Sequence, residues 1–439
     1  MPDVTFPVTG SGARLPPTST HGIALMDYEL QPLTKPGRRF AELAEEHATD
    51  VAERAEEHDR DGTFPFEAFE AMKASGFMAA TVPEAFGGLG LDSAHDLGVG
   101  LNRLARADGS VAIAANMHLA FGIIGTRLAR GAREAGDDEA AAATETLLGM
   151  VGGGAVAMAN ATEGGTDLRH PLTEATPVEG GWSINGRKIF GTLSPIADLF
   201  FVPARTLRDD GSYGRGFAFV FRGTPGQEIL DNWDALGMRA SGSNDVVYEN
   251  CVVPESLFTV GEEDWGEEGE LDLIVGTAGN IGLVASFLGI AEAAREITVE
   301  MATTRRKAPS GRVIGERTGI QRLVAEIDVA LSTARALLHR AGEAIDDVIR
   351  RPVAEVSVDQ FHQLNKEFQS AKLVANRSAI DVVDRALTVS GGAGYLSANR
   401  LSRLYRDVRA GPFMQPLSPV EVHEYIGKVA LGLDPVLDV

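Results

Sequence analysis

The chain has 439 residues, more than one small core holds, so two or three lobes are expected. Hydrophobic residues make up 44% and charged residues 23%, a balance typical of soluble globular proteins. The 62 acidic residues against 40 basic ones give a net charge of -22, which disfavours nucleic acid or an anionic membrane as partner.

Residues 1–34 carry no basic segment followed by an apolar run, so no secretory signal is expected. They read as a flexible extension rich in Pro, Thr and Gly, and the protein as cytoplasmic. Residues 35–150 read as an all-helical lobe, with apolar residues at three- and four-residue spacing among acids and arginines. Residues 151–262 change character. Short β-branched and aromatic segments alternate with turn signals, and Asn185-Gly186 predicts a hairpin turn. Cys251 falls in one of these strands. As the single cysteine it excludes an intrachain disulfide, and with no basic partner nearby it reads as a buried small hydrophobe. The acidic stretch GEEDWGEEGELDL reads as a linker.

Residues 263–439 hold three long helical patterns, 271–305, 318–350 and 356–389, which predict an antiparallel bundle. The most apolar of them contains four glycines within LIVGTAGNIGLVASFLGIAEAA and reads as a buried helix rather than a membrane span. A last helix starts at Ser418, with Pro419 first and Glu421 as the partner in a capping box. No G-x-G-x-x-G follows a strand, and no Walker loop, H-E-x-x-H or G-x-S-x-G elbow occurs. The nine histidines show no zinc-ligand spacing, so no metal site is expected.

Several strings fit flavin. They are PEAFGGLG at 83–90, MANATEGGTD at 158–167, NGRKIFGTLS at 185–194, WDALGMRASGS at 233–243 and SGGAGYLSANRLSRLYRDVRAGPFMQP at 390–416. Together with the order helical lobe, β domain, helical bundle, they resemble the acyl-CoA dehydrogenase superfamily over nearly all of the chain beyond the extension. The resemblance implies an α+β, mostly α fold: an N-terminal helical domain, a central β-barrel-like domain and a C-terminal four-helix bundle. It implies FAD, or FMN, and a homo-oligomer of two or four chains.

By that resemblance Ala161, Thr162 and Thr166 meet the flavin ring, although the loop after Thr162 is two residues shorter than the family's. Phe190 replaces the family's tryptophan beside the ring, and Thr192 keeps a hydroxyl position there. Arg239 and Ser241 shape the floor of the substrate site, with Ser243 near the flavin or its pyrophosphate. Arg306, with Arg305 as its alternative across an insertion, and Gln321 reach the adenosine diphosphate part. Thr388, Gly391 and Gly392 reach the cofactor of a neighbouring subunit.

The pattern breaks at the base. The family's catalytic glutamate slot, eight residues after Asp407, holds Gln415, whose amide is too weakly basic to take a proton from carbon. The slot that some members use instead, ten residues before Gly282, holds Asp272. That residue reads equally as a carboxylate favoured by a helix N-terminus. The next position, where the family has a substrate-bracing arginine, holds Leu273. His118 lies on the helix where monooxygenases of the superfamily carry a histidine facing the ring; a lone histidine on an apolar helix also reads as a core residue.

Two functions follow. One is α,β-desaturation of a small acyl substrate, with Asp272 or another base and hydride transfer to flavin. It ranks first because the flavin strings look most like dehydrogenase ones. The other uses reduced flavin from a reductase partner, with O₂, to hydroxylate carbon or nitrogen of a small molecule. An electron-transfer partner is implied in either case. A non-enzymatic flavin-binding scaffold is a third reading, against which the intact flavin strings argue.

Overall fold

The structure is a computed structural model and describes residues 29–414 and 416–437. Residues 1–28, most of the predicted extension, and Gln415 lie outside the described residues.

Helix α1 (Lys35–Asp61) starts where Thr34 Oγ1 accepts the Gly37 N–H at 2.9 Å, and it stops at Gly62, whose φ of 66° ends the helix. Asp96 fastens this start by accepting the N–H groups of Leu33 and Thr34, both at 2.8 Å. The first lobe continues with α2 (Phe66–Ala74), α3 (Ala94–Ala105), α4 (Gly109–Ala135) and α5 (Asp138–Gly152).

The central part is a sheet of β1 (Ala157–Ala159), β2 (Glu174–Val178), β3 (Gly181–Gly191), β4 (Leu199–Leu207), β5 (Tyr213–Phe221), β6 (Gln227–Ile229), β7 (Asn244–Val253) and β8 (Phe258–Asp264). The strand order is β6-β7-β3-β2-β4-β5-β8, with β1 pairing β4 in parallel. Its own core gathers Met158, Phe200, Val202, Val220, Val246, Tyr248 and Cys251. Burial pushes the Cys251 thiol up to about 11, so it stays an inert hydrophobe.

The C-terminal part contains α6 (Glu270–Thr277), α7 (Ile281–Thr304), the two-strand hairpin β9 (Arg306–Lys307) and β10 (Arg312–Val313), α8 (Thr318–Arg350), α9 (Val358–Ser390), α10 (Arg400–Asp407) and α11 (Pro419–Leu431). The predicted capping box forms: Glu421 accepts the Ser418 N–H at 2.6 Å. One large core joins this bundle to the first lobe, because α7 packs directly on α3. A Cβ on Gly289 would stand 2.3 Å from the Asn102 carbonyl, so only glycine allows that approach. Two helical stretches, Gly109–Ala135 and Glu270–Thr304, have the length and hydropathy to cross a membrane, but 72% and 94% of their most apolar windows are buried inside the protein.

Three local expectations are corrected. Asn185-Gly186 makes no hairpin turn; it is a bulge inside β3, where the register against β7 shifts between Ile184 and Gly186. The Asn185 side chain accepts the Asn250 N–H at 2.8 Å, and a Cβ on Gly186 would meet Thr173 at 2.3 Å, so tertiary contacts override the turn signal. The start of the acidic stretch is not linker but strand β8, paired along β5. The helix predicted over 271–305 is broken between α6 and α7, where Asn280 Nδ2 donates to the Val275 carbonyl at 2.9 Å next to Gly279.

Candidate functional site

The loop leaving β1 is organised by a buried ion pair. Lys188 is fully buried, and its ammonium meets the Glu163 carboxylate, the Pro203 carbonyl at 2.7 Å and the Ala161 carbonyl at 3.4 Å. Glu163 also accepts the N–H groups of Leu172 at 2.7 Å and Thr173 at 3.1 Å, closing the shortened loop on itself. Burial pushes Lys188 down to about 8, against the opposing pull of Glu163. Thr166 is held within this loop, its hydroxyl donating to the His170 carbonyl at 2.6 Å. The Ile189 N–H donates to the Thr162 carbonyl at 2.9 Å, so Thr162 lies beside the end of β3.

That end of β3 is strained. Phe190 has φ 53° and Leu193 φ 76°, a left-handed backbone that costs a non-glycine residue about 1 kcal/mol or more. The register shift between Lys188 and Gly191 turns Phe190 outward, 57% exposed, with its ring edge-on to Trp233 at 5.9 Å. Next to it runs a hydroxyl chain: Thr192 to Ser243 at 2.7 Å and Ser243 to Ser241 at 2.7 Å. Thr162, Phe190, Thr192, Ser241 and Ser243 are therefore brought to one rim of the sheet.

Arg239 points elsewhere. Its guanidinium donates to the Asp59 carbonyl at 2.7 Å and to Asp234 at 3.0 Å, tying the strand-rich part to the end of α1. The same segment locks onto α10, where Asp407 accepts the Met238 N–H at 2.7 Å. Burial pushes the Asp407 carboxyl up to about 7, although Arg403 opposes it.

A second group of expected cofactor residues collects at one end of the bundle. Thr388, Gly391 and Gly392 are exposed at the end of α9, with open space around both glycines. The arginine that reaches them is Arg305, which donates to the Ser390 carbonyl at 2.7 Å. Arg306 instead donates to Gly311 inside the β9–β10 hairpin at 2.7 Å, so of the two candidates Arg305 stands at the glycine pair. Gln321 is exposed and donates to the Gly315 carbonyl at 3.0 Å.

The candidate acid–base residues are engaged in structure. His118 is buried, and its Nε2 donates to the Met78 carbonyl at 2.8 Å while Nδ1 accepts the Ala157 N–H at 3.0 Å. Burial holds its imidazole down to about 4, so it is neutral with both nitrogens satisfied. Asp272 sits in a two-pronged pair with Arg215, 2.7 Å on each side, and also accepts the Gly269 N–H at 2.8 Å. Neither residue faces the rim with an unengaged atom. Leu273 is buried in the core.

Sequence reasoning passed over the residues that do most of the organising. Lys188 lay inside the quoted NGRKIF string, but a lysine in a strand of alternating burial reads as solvent-facing. Arg215, the partner of Asp272, had no motif to mark it. Lys372 is buried on α9, and its ammonium donates to the carbonyls of Met414 and Leu417, the latter at 2.9 Å. Burial pushes it down to about 7. Glu268, before α6, is pushed up to about 7 by burial.

The residues present suit a flavin. The rim offers an outward aromatic ring, hydroxyls and a backbone turn, while the bundle end offers an arginine beside two open glycines, a setting for phosphate. The buried Nδ2 of Asn160, one residue before the loop, has no protein partner among the described residues.

Comparison with known proteins places the chain. It matches the acyl-CoA dehydrogenase N-terminal domain over residues 37–135, the middle domain over 155–251 and the C-terminal domain over 281–415. The chain belongs to the acyl-CoA dehydrogenase family and is a flavin-dependent oxidoreductase. Among its relatives are L-evernosamine nitrososynthase of a Micromonospora species, 38% identical over 92% of both chains, and amino sugar nitrososynthase DnmZ of Streptomyces peucetius, 35% identical over 95% of this chain and 99% of the relative. A solved structure of KijD3 with FMN and dTDP-3-amino-2,3,6-trideoxy-4-keto-3-methyl-D-glucose is 35% identical, with a TM-score of 0.85 over 93% of this chain and 96% of that one.

Proposed function

We propose that this protein is a flavin-dependent N-oxygenase acting on the amine of a sugar, carried as a nucleoside diphosphate. The observation that carries the reading is the Asp272–Arg215 pair. Desaturation needs a carboxylate free to take a proton from carbon. Position 415 is a glutamine, and Asp272 has both oxygens committed to Arg215. Oxygen transfer to nitrogen needs no such base. The relatives named for nitrososynthesis, similar along nearly the whole chain, supply the substrate class.

When bound, reduced flavin supplies the two electrons with which O₂ gives one oxygen atom to the substrate and one to water. For an amine the balance is R–NH₂ + O₂ + 2e⁻ + 2H⁺ → R–NHOH + H₂O, and a second turnover converts R–NHOH to R–N=O and two waters. The electrons come from an NAD(P)H-dependent flavin reductase acting as partner. In this reading the loop at Ala161 and Thr162, the Thr192 and Ser243 hydroxyls and the Phe190 ring hold the isoalloxazine. Arg305, Gln321, Thr388, Gly391 and Gly392 face the cofactor phosphate, across subunits of a homo-oligomer. His118 and Asp272 brace the scaffold. The amine enters as the free base, since its lone pair attacks oxygen.

The test is incubation with reduced FMN, O₂ and a thymidine-diphosphate amino sugar, read by mass spectrometry. A product carrying one added oxygen supports the reading. Full consumption of O₂ to peroxide, with every amino sugar unchanged, counts against it.

A further inference from the structure

The peptide between Ala161 and Thr162 is trans, so its carbonyl and its N–H point in opposite directions. The carbonyl points inward to the buried Lys188 ammonium at 3.4 Å. The N–H of Thr162 therefore points outward, and among the described residues no protein group accepts it. Lys188 is itself fixed from behind by the Pro203 carbonyl of β4 and by Glu163, which ties the start of the short loop to its end at Leu172 and Thr173. One buried pair thus sets the orientation of a single outward amide.

We propose that the Lys188–Glu163 pair is the positioning element of the flavin site, turning the Thr162 N–H outward as a fixed donor to the electron-rich edge of the isoalloxazine. This rests on the flavin reading given above. A donor aimed at the ring favours the form that carries more negative charge, which is the reduced one. The pair touches no substrate, so it acts through the amide. Within this loop the Glu163 carboxylate closes the neck by accepting the N–H groups of Leu172 and Thr173.

The experiment compares the wild type with K188M/E163Q, which removes both charges together so that neither is left buried alone. FMN affinity is read by fluorescence and the flavin midpoint potential by dye equilibration, with thermal melting as the check on folding. The expected result is a folded double variant that binds FMN about tenfold more weakly, in line with one lost hydrogen bond, and whose bound flavin has a lower potential. A folded double variant with unchanged affinity and potential overturns the proposal.

A second measurement needs no variant: the Thr162 amide resonance of ¹⁵N-threonine-labelled wild type, with and without FMN. A large downfield proton shift on binding supports the donor, and an unmoved Thr162 signal alongside bound FMN overturns it. If the wild type binds no flavin at all, the flavin reading itself falls, a result distinct from either of these.

Discussion

Asp272 and Arg215 form a two-pronged ion pair, 2.7 Å on each side, that joins the first turn of α6 to strand β5. Arg215 is buried and Asp272 nearly so. The position that the sequence offered as an alternative base is here part of the joint between the sheet and the bundle. Replacing Asp272 by Asn leaves the Arg215 cation buried without its counter-charge, which costs about 3–5 kcal/mol. D272N is expected to melt well below the wild type, and R215M/D272L to recover much of that loss. An unshifted melting curve for D272N contradicts the structural role.

His118 predicts how stability depends on pH. Its folded-state pKa, about 4, lies below the ordinary value of 6.5, so the folded protein favours the neutral ring. Below pH 6.5 the unfolded chain binds the proton and the folded chain does not. Stability from this group is complete above 6.5 and is lost as pH falls toward 4, by roughly 3 kcal/mol. Denaturant titrations between pH 7 and 4 should show the loss, and H118N should flatten it.

Phe190 holds a left-handed backbone and an outward ring. F190A is expected to weaken flavin binding up to about tenfold, as loss of an aromatic stacking partner does, with little change in melting temperature because the ring is exposed. Fluorescence titration with FMN checks it.

At the bundle end the two neighbouring arginines separate. R305M removes the contact to the Ser390 carbonyl and is expected to lower flavin affinity severalfold. R306M, whose contact stays inside its own hairpin, is expected to leave it unchanged. Equal effects would contradict the assignment of Arg305 to the glycine turn.

The fold was legible because its signals are local and repeated. Helical periodicity delimits α8 at the residues observed, and the capping box at Ser418 forms as read. The family strings marked Thr162, Phe190, Thr192 and Ser243, which the structure gathers on one rim. What the sequence hid depends on partners far along the chain. Asp272 resembled a base until Arg215, 57 residues away, closed on it. The contact of Arg239 with the Asp59 carbonyl of α1, 180 residues away, had no sequence signal. Asn185-Gly186 resembled a turn until Thr173 and Asn250 fixed it as a bulge. In each case the chemistry of the residue type was read correctly and the long-range contact decided its use. Desaturation ranked first on the likeness of the flavin strings to dehydrogenase ones, a likeness shared across the family, and it is the relatives named for nitrososynthesis that favour the oxygenase alternative.

The most direct measurement is product analysis with the complete system: this protein, a flavin reductase with NAD(P)H, O₂ and a thymidine-diphosphate amino sugar, run in parallel with an acyl-CoA panel and an artificial electron acceptor. The account predicts an oxidised nitrogen, hydroxylamine and then nitroso, with oxygen taken from ¹⁸O₂, and no α,β-unsaturated thioester. Desaturation of an acyl thioester without oxygen incorporation would contradict it.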